Sequence, residues 1–170
     1  MKNKFIFLGA VAVLIAAFFY FLPRSSEKGT CLEGDCFNGA GTLLFKDGRK
    51  YVGNFADGRY NGRGVLLLTD GRRYEGEWQN DLPNGFGTQT NPDGTIYTGE
   101  WQDGKYAGQG TLKTADGGSY TGAWKDDLPH GRGILTKPDG SKFIGEFRNG
   151  KAVGEGVLVS PEGEETKVSL

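Results

Sequence analysis

The chain has 170 residues, of which 30 are glycine, and its 20 basic side chains against 21 acidic ones give a formal charge of −1. Glycine at that level is far above the roughly 7% of ordinary proteins, and Ala and Leu are scarce beyond the first two dozen residues, which excludes a helical domain. The chain has no basic patch of the kind a nucleic acid requires.

The N-terminus stands apart from the rest. Lys2 and Lys4 precede an apolar run from Phe5 to Leu22, closed by Pro23 and Arg24. As a helix that run reaches about 27 Å, close to a hydrocarbon core of roughly 30 Å. A cleavable signal peptide has a shorter apolar region, about 7 to 15 residues, followed by small residues at the cut site, and neither feature is present. Residues 1–24 therefore read as an uncleaved signal-anchor transmembrane helix. Lys2, Lys4 and the terminal amine outweigh Arg24 and Lys28, which Glu27 partly offsets. This bias places the N-terminus in the cytoplasm and the repeat region in the periplasm or outside the cell, as a single-pass membrane protein.

Without Lys2, Lys4 and Arg24, 17 bases face 21 acids, so the exported part carries −4. In an oxidising compartment Cys31 and Cys36 are expected to close a small disulfide loop. Lys28-Gly29-Thr30 lacks the apolar and small residues that precede a lipidated bacterial cysteine.

From residue 51 onward the chain repeats itself every 23 residues without insertion. Tyr51, Tyr74, Tyr97, Tyr120 and Phe143 head one column, followed two positions later by Gly53, Gly76, Gly99, Gly122 and Gly145. Two positions further stand Phe55, Trp78, Trp101, Trp124 and Phe147. A Gly-x-Gly pair follows in each unit, from Gly62 and Gly64 to Gly154 and Gly156. Asp70-Gly71, Asp93-Gly94, Asp116-Gly117, Asp139-Gly140 and Glu162-Gly163 then mark a turn.

Each unit reads as two short strands, and the units predict an all-β, elongated, single-layer antiparallel array of hairpins, solenoid-like and preceded by the transmembrane helix. Glycine weakens a strand, so columns of it imply rings lying on bare backbone. Residues 25–50 form a degenerate first unit with the cysteine pair, residues 51–165 five full units, and residues 166–170 a C-terminal cap.

The loop inside each unit alternates. Gly58-Arg59-Tyr60, Gly104-Lys105-Tyr106 and Gly150-Lys151-Ala152 occupy odd units, whereas Asp81-Leu82-Pro83 and Asp127-Leu128-Pro129 occupy even ones. Duplication of a two-unit block accounts for this pattern. A sharper reading makes Arg59, Tyr60, Lys105 and Tyr106 a partner-binding edge between Leu-Pro knobs.

The Tyr-x-Gly-x-aromatic start and the following Gly-x-Gly resemble the membrane occupation and recognition nexus (MORN) repeat, in five units from Tyr51 to about Glu165. The resemblance implies twisted hairpin arrays that serve as scaffolds, dimerisation modules or membrane-associated pieces. It gives the tyrosine, glycine and tryptophan columns a structural role.

The chemistry of an enzyme is missing. The single histidine, His130, sits in a variable loop, and most acids belong to turns. No nucleophile elbow, phosphate loop, zinc spacing or calcium loop is present, so no catalytic residue, cofactor or metal is expected. The expected function is a membrane-anchored, non-enzymatic scaffold that binds protein partners or itself. Self-association follows if the apolar sheet face is left uncovered. Phospholipid-headgroup binding and carbohydrate or cell-wall binding through exposed aromatics are the alternatives.

Overall fold

The computed structural model describes residues 29–170, and the expected anchor over residues 1–24 lies outside them. Among the described residues no helix is long and apolar enough to cross a membrane.

The described residues form one thirteen-stranded antiparallel sheet in which every strand pairs with its neighbours in sequence. The strands are β1 (Thr30–Gly34), β2 (Ala40–Leu44), β3 (Lys50–Ala56), β4 (Arg59–Leu67), β5 (Arg73–Gln79), β6 (Leu82–Thr90) and β7 (Ile96–Gln102). They continue as β8 (Lys105–Lys113), β9 (Ser119–Lys125), β10 (Leu128–Thr136), β11 (Lys142–Arg148), β12 (Lys151–Val159) and β13 (Glu165–Ser169).

Two kinds of turn link them. Within a unit the strands meet at a two-residue turn with both residues left-handed, as at Asp57 (φ 51°) and Gly58 (φ 71°) or Asn80 (φ 49°) and Asp81 (φ 69°). That is the type I′ turn, whose twist matches the strands it joins. Between units Asp70-Gly71 closes a looser connection. There the Gly71 N–H donates to Leu68 O at 3.1 Å and the Asp70 carboxylate accepts the Arg72 N–H at 3.0 Å. The Asp-Gly pairs thus join one unit to the next, and a second set of tight turns lies inside the units.

The first tyrosine of each unit explains the glycine columns. Tyr51 lies over the paired Gly53 and Gly64, and its hydroxyl donates to Asn54 O at 3.0 Å. Tyr74, Tyr97 and Tyr120 repeat this bond to Glu77 O, Glu100 O and Ala123 O. A Cβ on Gly87 would stand 2.8 Å from Tyr74 Cε2, closer than van der Waals contact allows. Phe143 lacks the hydroxyl, yet its ring covers Gly145 and Gly156 in the same way.

Tryptophan then ties one unit to the preceding one. The Nε1 of Trp78, Trp101 and Trp124 donates to Gly64 O, Gly87 O and Gly110 O at 3.1, 3.2 and 3.1 Å. Each indole also meets a tyrosine of the preceding unit edge-on, as Trp101 does Tyr74 at 5.0 Å. These pairs are worth about 0.5–1.5 kcal/mol each beyond the area they bury.

The degenerate unit of residues 25–50 has no ring above Gly41. There the Cys31–Cys36 disulfide closes, with Cα atoms 5.9 Å apart, and Cys36 Sγ occupies the space over Gly41.

Gly87→Ala is expected to destabilise the sheet by about 1–3 kcal/mol, the usual cost of overpacking, in urea melts. In a Tyr74→Ala background the added penalty should shrink. An undiminished penalty would mean that the ring is not the obstacle.

Candidate interaction surface

The aromatic face is sealed by its own rings. Tyr51, Tyr74, Tyr97, Tyr120 and Phe143 are at most 2% exposed, and Phe55, Trp78, Trp101, Trp124 and Phe147 at most 5%. Burial raises the Tyr120 phenol to about 12 and those of Tyr51, Tyr74 and Tyr97 further still. The uncovered apolar face from which self-association was expected is therefore absent among the described residues. The three indoles, with their N–H groups donated to backbone, offer no open face for a sugar to stack on.

The expected edge of Arg59, Tyr60, Lys105 and Tyr106 needs a correction as well. Tyr60 is buried and stacks on Tyr51 at a centroid distance of 3.7 Å. Tyr106 stacks on Tyr97 at 3.6 Å, half-buried. Both rings pack inward because the type I′ turn puts them directly opposite Phe55 and Trp101 in the register. Arg59 is exposed, and Lys105 pairs with Asp126 at 3.1 Å. The four residues share an edge, but they do not form one open aromatic and basic surface.

The alternation of the tips has a hydrogen-bonding cause. Each tip donates a backbone N–H to the preceding one: Gly58 to Phe37 O, Asp81 to Tyr60 O, Gly104 to Pro83 O, Asp127 to Tyr106 O and Gly150 to Pro129 O. Tyr60 and Tyr106 also carry N–H groups of their own, and these reach the carboxylates of Asp81 and Asp127 at 2.8 Å. Pro83 and Pro129 have no N–H, and glycine suffices at the tip that follows each. From Asp81 onward, Asp or Gly in one tip is thus matched to Tyr or Pro in the tip before it, and before Gly58 the Phe37 N–H is taken by the Asp35 carboxylate at 2.9 Å. Burial raises the Asp127 carboxyl above its usual range, against the lowering effect of the Tyr106 N–H.

The opposite face is open along the array. One register row runs Val52, Val65, Glu75, Thr88, Thr98, Thr111, Thr121, Ile134, Ile144 and Val157. Within it the hydroxyls of Thr88 and Thr98, and of Thr111 and Thr121, lie 3.1 Å apart. A second row carries Arg63, Glu77, Phe86, Glu100, Gln109, Ala123, Arg132 and Glu146. Exposed apolar side chains lie on this face, Val52, Phe86, Ile134 and Ile144 among them. A shallow cleft of about 500 Å³ between the rows is lined by Arg63, Val65, Glu75, Glu77, Phe86 and Thr88. Among the described residues no cluster of three or more His, Cys, Asp or Glu side chains is placed to hold a metal.

A family model described as the MORN repeat matches residues 51–72, 74–96, 97–119, 120–142 and 143–165. No curated relative matches the sequence significantly. Similar solved structures include the TCP domain of SAS-4 (dCPAP) from Drosophila melanogaster in complex with a proline-rich motif of Ana2. It is 14% identical with a TM-score of 0.46, covering 84% of this chain and 90% of that one. The CPAP G-box domain is 15% identical with a TM-score of 0.38, covering 84% and 99%. The TCP10 domain of Danio rerio CPAP with a STIL peptide is 20% identical with a TM-score of 0.25, covering 85% and 84%.

For Asp127 the folded pKa lies above the unfolded value near about 3.9. The ionised group therefore costs stability above the folded pKa, and that cost vanishes below the unfolded one. Asp127→Asn keeps an acceptor for Tyr106 and is expected to gain stability on wild type as pH rises from 3 to 7. Asp127→Ala is expected to lose about 1 kcal/mol at pH 7 because the Tyr106 N–H loses its partner. Thermal melts of the three proteins across that range are the check.

Proposed function

The chain belongs to the MORN repeat family, and from that premise we propose that it is a membrane-anchored, non-enzymatic scaffold presenting the ring-free face of its sheet to protein partners. The observation that carries this reading is the division of labour between the faces. Rings, indole N–H groups and the phenols of Tyr51, Tyr74, Tyr97 and Tyr120 on the aromatic side are spent on the chain itself. The other side offers an open row of Thr, Val and Ile flanked by charges.

A mixed row of this kind suits protein contact, since interfaces combine apolar centres with polar surroundings. Anionic lipid headgroups draw on clustered bases at about 1 kcal/mol each. Here Arg63 and Arg132 lie far apart in the row and each faces a glutamate directly, Glu77 and Glu146. The apolar run Phe5 to Leu22 supplies the membrane tether.

A photo-crosslinking residue at Val65, Phe86 or Ile134 is expected to yield protein adducts in intact cells, and one at Asp93 or Asp139 in the turns is not. Deleting residues 5–22 is expected to move the protein from the membrane pellet to the supernatant. Adducts confined to the turns would reject the face, and a shortened chain still pelleting with membranes would reject the tether.

A further inference from the structure

Each of the five full units carries a bulge in its second strand. In β8 the register skips from Ala107, opposite Glu100, to Gly110, opposite Gly99, so Gly108 and Gln109 bulge out. Gly108 is left-handed, with φ 52°. The Gln109 N–H leaves the ladder, and the Glu100 carboxylate folds back over Gly108 to accept it at 2.9 Å. Glu77 lies over Gly85 in the unit before, its Cδ 3.0 Å from where a Cβ would stand. Backbone turned in this way forms a small concavity suited to an anion. In the second and third full units the chain fills it with its own carboxylate, whereas Asn54 stands over Gly62 in the first and nothing lies within 4 Å of a Cβ on Gly154 in the fifth.

The fourth full unit alone has no polar side chain at this position, the column reading Asn54, Glu77, Glu100, Ala123 and Glu146. Ala123 stands where Glu100 stands, and the methyl group is the one neighbour within 4 Å of a Cβ built on Gly131. Three other positions around the same bulge change with it. Gln102 gives way to Lys125, Ala107 to His130 and Gln109 to Arg132. In the third unit Gln102, Ala107 and Glu100 line one cleft with Gly108. At the corresponding positions the fourth unit has therefore lost its built-in anion and carries Lys125 and His130, with Arg132 in the bulge itself.

The nearby acids have other partners. Asp126 pairs with Lys105 and Asp127 accepts the Tyr106 N–H. Glu146, on the next strand, meets Arg132 Nε at 3.2 Å in an exposed pair. Such pairs are weak, so an incoming carboxylate can share or displace it.

We propose that the bulge at Gly131 is a seat for a carboxylate brought by another protein, a Glu or Asp side chain held by the Arg132 N–H and by Lys125, His130 and Arg132. It rests on the scaffold reading for the source of that carboxylate. The third unit shows the occupied form of the seat, and the ligand there is a glutamate.

The test uses the full chain in detergent micelles and a fluorescein-labelled peptide of alternating Gly and Glu. Wild type is expected to bind it saturably by anisotropy and not to bind the Gly-Gln counterpart. Ala123→Glu fills the seat from within and is expected to weaken binding at least tenfold while melting no lower than wild type. Lys142→Gln, away from the bulge, is expected to leave binding unchanged. Equal binding by Ala123→Glu and wild type, or equal binding of the Gly-Gln peptide, overturns the proposal. So does a wild-type protein that ignores the Glu peptide and instead binds phosphatidylserine vesicles in a manner sensitive to Ala123→Glu. Cross-links on the ring-free face that persist in a protein failing the peptide test sink the seat and leave the scaffold standing. No cross-links anywhere on that face would sink the scaffold whatever the peptide does.

Discussion

The fold depends on a tyrosine ring laid flat on two bare glycines. Tyr74 covers Gly76 and Gly87, and its hydroxyl donates to Glu77 O. Three needs are met at once: the ring is buried, its hydroxyl has an acceptor, and the carbonyl of Glu77 has a donor. The last matters because the bulge beside that carbonyl interrupts the ladder that would otherwise satisfy it. Glycine costs strand stability, but any side chain at those positions would push the ring off. A single-layer sheet can therefore hide an aromatic core without a second layer, since the backbone itself is the surface against which the rings pack.

What joins the units is a different set of bonds. The indole of one unit donates to a glycine carbonyl of the unit before, fourteen residues back. At the other edge the tips hydrogen-bond in sequence, with an aspartate where the previous tip has an N–H to satisfy and a glycine where proline has none. Asp81 and Asp127 adopt left-handed backbone that glycine accepts more easily. The carboxylate's second contact offsets that cost. Duplication of a two-unit block would account for how the pattern spread, and the Tyr–Asp and Pro–Gly matches give a physical reason for keeping it.

Much of this was legible in the residues. A period of 23 fixes where rings and glycines recur, and side-chain alternation along a strand puts Tyr51, Gly53 and Phe55 on one side. The fate of Tyr60 and Tyr106 was not legible. Their columns hold proline or alanine in other units, so they read as variable loop residues. Only the turn geometry shows that ring and proline take the same inward place opposite the second aromatic column. The bulges were hidden for a related reason. Gly62 and Gly64 fit a regular strand equally well on paper, and the slip of register emerges only from the partners each residue finds. The role of Cys36 over Gly41 was similarly out of reach, because a sulfur standing in for a ring has no signature in spacing.

An array this regular places its individuality in the departures. Tyr, Gly and Trp columns must recur for the hairpins to add, so they cannot distinguish one unit from another. The residues that can are those facing outward between the columns, and their changes are correlated. Exchange of Glu100 for Ala123 alone would be an unremarkable loss of a surface acid. Accompanied by Lys125, His130 and Arg132 around the same bulge, it inverts the electrostatics of one concavity while leaving the backbone that shapes it intact. The frame's rigidity makes such an inversion informative. The bulge persists because the Tyr120 ring covers the glycines on its other side, so the concavity remains when its internal ligand is removed.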